Sequence, residues 1–135
     1  MTIYDDVRNG LKEYLSIHSA YAPLVKTIAS GDTFPYVVFE KSNDIEHASD
    51  KQRNTVISTL EFEINIFAKE KTLNNKKLAG RTIACEIEEH IKKYMGGKLG
   101  YKRTYDKPTP NIDSTVYRIT LRYQVNLNES KNYFI

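Results

Sequence analysis

The stretch TVYRITLRYQVNL, Thr115–Leu127, decides the fold. Tyr117, Ile119, Leu121, Tyr123, Val125 and Leu127 are apolar or aromatic, and Arg118, Thr120, Arg122, Gln124 and Asn126 between them are polar. Side chains alternate across a strand, so this period of two predicts one buried face and one wet face. Arg118 and Arg122 lie in line on the wet face. A row of cations on a solvated sheet face suits a protein or nucleic-acid partner.

A second stretch, TVISTLEFEINIFA at 55–68, has the same period. Val56, Leu60, Phe62, Ile64, Ile66 and Ala68 share one face, and Thr59, Glu61, Glu63 and Asn65 share the other, with Ile57 and Phe67 as apolar exceptions. At about 3.3 Å per residue this strand spans roughly 45 Å, so it bends or projects as half of a hairpin. PYVVFEK at 35–41 predicts a shorter strand opened by Pro35, where a missing donor does little harm. Between these two strands lies SNDIEHASDKQRN, residues 42–54, a mixed-charge stretch with a single isoleucine. It reads as a loop too long for a simple turn, and loops of that length are usually functional.

Two amphipathic helices complete the pattern. Ile3, Val7, Leu11 and Leu15 form an i, i+4 stripe, which predicts a helix over about 4–16 with Thr2 as N-cap and Asp5 and Asp6 at the positive end of its dipole. Gly10 weakens it slightly. Ile83, Ile87, Ile91 and Tyr94 predict a second helix over about 73–95, stopped by Gly96-Gly97. One short helical turn is expected around Leu24–Ile28, and a short strand over about 99–105. The expected fold is α+β, in the order α-β-β-α-β-β. It is a two-layer sandwich of an approximately four-stranded mixed or antiparallel sheet with both helices on one face. Residues 1–135 form one domain, and 128–135 are a tail that ends in Tyr133-Phe134-Ile135.

The chain has 135 residues, a net charge of +3, ten tyrosines, one cysteine and no tryptophan. That length supports a core without staples. Mild basicity does not by itself imply nucleic-acid binding, for which clustering is expected; Lys92, Lys93, Lys98, Lys102 and Arg103 with Tyr94, Tyr101 and Tyr105 among them could bind a strand, but a solvated surface is the simpler reading. Cys85 alone makes neither an internal disulfide nor a cysteine zinc site, and as a small residue near the apolar stripe it is expected in the core. No apolar run reaches the roughly 18 residues of a membrane span. The start MTIYDDV lacks signal-peptide character, so a cytoplasmic setting is expected.

Catalytic signatures are missing: there is no GxSxG, Walker loop, HExxH or GxGxxG. His47 beside Asp44, Glu46 and Asp50 has metal-ligand residue types, but a solvated loop is the simpler reading. Glu88 with Lys92, and Glu89 with Lys93, have the i, i+4 spacing of ion pairs on a wet helix face. His90 suits the negative end of its helix. Glu61 and Glu63 share a face with Arg118 and Arg122 and predict cross-strand ion pairs of small individual worth. No enzyme activity, cofactor or metal is expected.

PYVVFEK at 35–41, LEFEINIFA at 60–68 and VYRITLRYQV at 116–125, with AGRTIACEIEEHI at 79–91 between the second and third strands, carry a resemblance. Together they resemble the tail terminator, or tail-completion, proteins of long-tailed bacteriophages, often called tail-to-head joining proteins. The resemblance covers about residues 3–127; the stretch 42–54 and the tail carry no family signature. It implies a structural protein of the virion tail or neck, or of a phage-tail-like particle, assembled in the bacterial cytoplasm. Such proteins form a six-membered ring that caps the head-proximal end of the tail tube, ends tube polymerisation and presents a surface for the head. The implied partners are further copies of the chain, the tail tube protein and a head-completion or neck protein, with DNA passing through the ring and no membrane involved.

A ring needs two different lateral surfaces. Arg118, Arg122, Glu61, Glu63, Tyr133, Phe134 and Ile135 are the expected inter-subunit contacts. Asp44, Ile45, Glu46, His47, Asp50, Lys51 and Arg53 are the expected tube-contact loop. Three alternatives compete: another neck or head-completion protein, a small nucleic-acid module using the Arg118/Arg122 face, and a small acidic-site nuclease.

Overall fold

The computed structural model describes residues 3–27, 33–50, 55–110, 115–128 and 133–134. Helix α1 covers Ile3–His18 and buries Val7, Leu11 and Leu15, the predicted stripe. The expected cap Thr2 lies outside the described residues. Strand β1, Leu24–Lys26, stands where a helical turn was expected. It pairs parallel with the start of β2, Tyr36–Asp50, and a sheet neighbour outweighs the weak local preference of three residues.

β2 corrects the reading of 42–54 as a loop, because its backbone stays in the sheet through Asp50. It pairs antiparallel with β3, Thr55–Lys69, from Tyr36↔Phe67 to Asp50↔Thr55, with register shifts after Lys41 and Glu46. β3 carries a strong strand pattern and templates the polar half of β2, whose own composition argues against a strand. A short hairpin follows, β4 (Lys71–Leu73) and β5 (Lys76–Leu78). Asn74 and Asn75 turn it with φ of 52° and 61°, the left-handed pair typical of a tight two-residue hairpin. This hairpin occupies the predicted first turns of the second helix.

Helix α2 therefore begins later, at Gly80, and runs to Lys92. It passes into a π-helical stretch, Lys93–Lys98, that contains Gly96 and Gly97 rather than stopping at them. The chain turns at Gly100, whose φ is +73°. β6 (Lys102–Pro108), β7 (Val116–Asn128) and the short β8 (Tyr133–Phe134) follow.

The main sheet has the order β1-β2-β3-β7-β6, with β8 also paired to β7. All its pairs except β1–β2 are antiparallel. The expected fold class and two helices are present, but the sheet has five strands in line rather than about four, and a separate two-stranded sheet is added. β3 takes one edge of β7 at Ser58↔Leu127, so β8, at Leu127↔Phe134, takes the same edge as β6.

One face of the sheet meets both helices. Val37, Phe39, Phe62, Ile64, Ile66, Ile119, Leu121 and Tyr123 join Leu11 and Leu15 of α1 and Ile83, Ile87 and Ile91 of α2 in a single buried cluster. The Tyr4 hydroxyl donates to the Phe39 carbonyl and ties the start of α1 to β2. Gly10 of α1 makes room for Tyr94: a Cβ there would collide with the tyrosine hydroxyl. Gly80 lets α2 approach the sheet, because a Cβ there would stand 2.8 Å from the Ala68 carbonyl oxygen. Among the described residues no helix is long and apolar enough to cross a membrane.

Backbone cannot yield as a flexible side chain does. Gly80→Ala should therefore destabilise the protein by about 1–3 kcal/mol in chemical denaturation. An unchanged denaturation midpoint would show that α2 can slide away from Ala68.

Candidate interaction surface

The face of the sheet opposite the helices is a grid set by strand register. Glu40 stands opposite Glu63, which stands opposite Arg122, which stands opposite Tyr105. The Glu63 carboxylate takes two contacts from Arg122, Nε and one terminal nitrogen each lying 3.0 Å from Oε1. This is the predicted cross-strand ion pair, and it offsets the repulsion between the facing carboxylates of Glu40 and Glu63.

The next row is Val38, Asn65, Thr120 and Lys107. Asn65 is 3% exposed and Thr120 4%, although they lie on the face without helices. Asn65 Oδ1 accepts from Thr120 Oγ1 at 2.6 Å and from Arg118 Nε at 3.0 Å. Thr109 Oγ1 donates to Thr120 Oγ1 at 2.6 Å, and Asn65 Nδ2 donates to Glu63 Oε2 at 3.3 Å. Arg118 was expected opposite a glutamate; it is bound to Asn65 instead, because the register sets it opposite Phe67. Glu61 stands opposite Gln124, not opposite an arginine.

One end of this face is aromatic. Tyr36, Val38, Phe67 and Val116 form a second buried cluster with Phe34 packed on it. Phe67, an apolar exception in the period of β3, belongs here. Lys26 Nζ lies 4.4 Å from the Tyr36 ring centre, Lys69 Nζ 5.0 Å from Phe34 and the Arg118 guanidinium carbon 5.3 Å from Phe67. Arg122 covers Tyr105 at 4.9 Å. Cations over ring faces gain about 0.5–1 kcal/mol at exposed sites and keep the aromatic surface from water.

Two further clusters lie on the helix side. Lys92 Nζ is 2.6 Å from Asp106 Oδ2 and 3.7 Å from Glu88 Oε1, and Arg103 is 3.8 Å from Asp106. Burial pushes the Glu88 carboxyl up to about 7, aided by its hydrogen bond to Asp106 and the nearby Asp106 charge, against the opposing Lys92. Burial also pushes Asp106 upward, but its hydrogen bonds with Glu88 and Lys92 and the Lys92 and Arg103 charges outweigh this and hold it below its ordinary value. The expected Glu88–Lys92 pair is present, with an Asp106 partner that periodicity cannot reveal because it comes from β6.

The second cluster joins α1 to α2. The His18 and His90 rings stack at 6.4 Å, Tyr14 lies 4.2 Å from His18, and His90 Nε2 is 3.1 Å from Glu86 Oε1. That approach misses hydrogen-bond alignment, so it is an ion pair only when His90 is protonated. Beside it is a hollow of about 180 Å³ between α1 and the π-helical stretch. A second hollow, of about 160 Å³, lies near Gly100 and Gln124. Both are smaller than the roughly 300–1,000 Å³ of ordinary ligand pockets. Among the described residues no three His, Cys, Asp or Glu side chains are grouped to hold a metal. Cys85 is exposed, which corrects its expected place in the core.

Of the expected tube-contact residues, Asp44, Ile45, Glu46, His47 and Asp50 lie on β2, and Lys51 and Arg53 fall outside the described residues. Tyr133 and Phe134 form β8, and Ile135 is outside the described residues. No protein-family model matches the chain, and no curated protein matches it.

Two measurements test these clusters. Asn65→Ala should cost about 1–3 kcal/mol of stability, because it strips a buried acceptor from Thr120 and Arg118. Glu88 with a raised pKa contributes stability that is full below about 4.5 and lost as pH rises through about 7. Glu88→Gln should remove that decline, so the gap in melting temperature between variant and parent should widen in the variant's favour across this window. Parallel pH profiles would refute the raised Glu88 carboxyl.

Proposed function

We propose that this protein is a ring-forming structural subunit of a phage tail or phage-tail-like particle. It caps the head-proximal end of the tail tube, ends tube polymerisation and enables head joining. The observation that carries this reading is the β2–β3 arm. Both strands have 15 residues, and β1 accompanies β2 only at Tyr36–Val38. β7 accompanies β3 as far as Ile57, so among the described residues it is the outer edge of β2 beyond Val38 that is left to offer an assembly surface. The three segments resembling tail terminators fall, in order, on β2, β3 and β7, and the fourth falls on α2.

The ring is six-membered. Its partners are its own copies, the tube protein and a neck or head-completion protein, and DNA passes through without sequence reading. Another neck protein remains the alternative, separated by ring stoichiometry and by which half-particle is bound. A nucleic-acid module on Arg118 and Arg122 has less support, because both guanidinium groups are engaged by Asn65 and Glu63.

Electron microscopy of the protein with tail tubes should show six-fold rings at one tube end, and tubes grown in its presence should stop at defined length. Bare tube ends and unrestricted growth would refute the reading. Removing residues 46–58 as a matched pair, with a tight turn joining Ile45 to Thr59, should leave a folded protein that no longer caps.

A further inference from the structure

The main sheet has two different edges. At one, β1 covers Tyr36–Val38 of β2, and among the described residues no strand pairs with the rest of that edge. At the other, β6 and then β8 line β7. Register carried across the sheet shows which segments lie level. Glu40 is level with Glu63, Arg122 and Tyr105; Asn43 with Glu61, Gln124 and Lys102. Glu46 is level with Ser58, Leu127 and Phe134. The uncovered part of β2 therefore matches in height the start of β6 and the whole of β8.

The two edges also differ in charge. The β2 segment carries Glu40, Asp44, Glu46 and Asp50 against Lys41; the part of β6 level with it, 102–106, carries Lys102 and Arg103 against Asp106. Pairing β2 with β2 of another copy would set acid against acid, which disfavours a two-fold dimer. Strand direction agrees with the charge. β2 is antiparallel to β3, β3 to β7 and β7 to β6, so β6 runs opposite to β2. A neighbour related by rotation about an axis along the strands then meets β2 in the antiparallel sense.

We propose that the two sheet edges recognise each other between copies: β2 beyond Val38 pairs head-to-tail with β6 and β8 of the next subunit. The contact is heterologous, so it closes into a ring or runs on as a filament according to the rotation at each step. Ring closure rests on the tail-cap reading above; the edge pairing itself does not. Backbone hydrogen bonds supply the pairing, and the charge difference selects the partner edge over a second acidic one.

The test is analytical ultracentrifugation and native mass spectrometry of the protein, free and bound to tail tubes. Asp44→Lys with Glu46→Lys, and separately Lys102→Glu with Arg103→Glu, should each weaken self-association by on the order of tenfold. The four changes combined should restore it. Rising salt should weaken the parent, because exposed charges are screened. Hydrogen exchange supplies a readout that needs no variant: amides of 40–50 should slow on association. Rings whose β2 amides stay unprotected, and which ignore both reversals, would overturn this inference and leave the tail-cap reading intact. Charge-dependent pairing that gives only short oligomers or filaments, with none on tails, would uphold the inference and overturn the tail-cap reading. A parent that stays monomeric both free and on tubes would overturn the inference.

Discussion

The β3–β7 ladder is the constraint on which the rest of the structure depends. It runs from Lys69↔Val116 to Ile57↔Asn128 without a register shift. Slipping it by one residue would exchange the two faces of a strand, setting Arg118 and Arg122 against the helices and Ile119 and Leu121 in water. Its fixed register puts Phe62, Ile64 and Ile66 beside Tyr123, Leu121 and Ile119 on the helix face. It also places Asn65 beside Thr120 and Glu63 beside Arg122 on the other. The two helices then dock on one apolar floor, and Gly80 sets how closely α2 can approach it.

The face without helices is consequently a finished surface rather than an open one. Asn65 and Thr120 are buried there because Arg118 and Thr109 close over them. Lys26, Lys69 and Arg118 do the same for the aromatic cluster. A fully partnered polar network rigidifies a sheet and gains little by being handed to a ligand. This shifts attention from the face to the strand edges, whose backbone groups are the natural units of sheet growth.

Much of this was legible in the chain. The alternation of 55–68 and 115–127 and the i, i+4 stripes of both helices express burial directly, and β3, β7, α1 and the body of α2 follow from them. The Arg122–Glu63 pair was legible too, since both residues lie on wet faces of adjacent strands. What escaped the sequence depends on neighbours far along the chain. The polar half of β2 is a strand because β3 pairs with it, and Leu24–Lys26 because β2 does. Arg118 meets Asn65 because register, not composition, selects its partner, and Glu88 meets Asp106 because the fold brings α2 and β6 together at Lys92. The Asn74-Asn75 turn did have a local signal, a pair of residues tolerant of positive φ, but a continuous helical reading overrode it. The stretches resembling tail terminators lie on the most regular strands, while the polar half of β2, which extends the sheet past them, carries no such likeness.

Cys85 has a stoichiometric consequence. It is the only thiol in the chain, and it stands exposed on α2, in the helix layer rather than in a sheet strand. One thiol per subunit permits one disulfide per pair of subunits and nothing longer. Oxidation can therefore join two copies covalently but cannot lock a larger assembly. A dye or spin label placed there would occupy a single position per subunit, and distances between labels would report the geometry of any assembly.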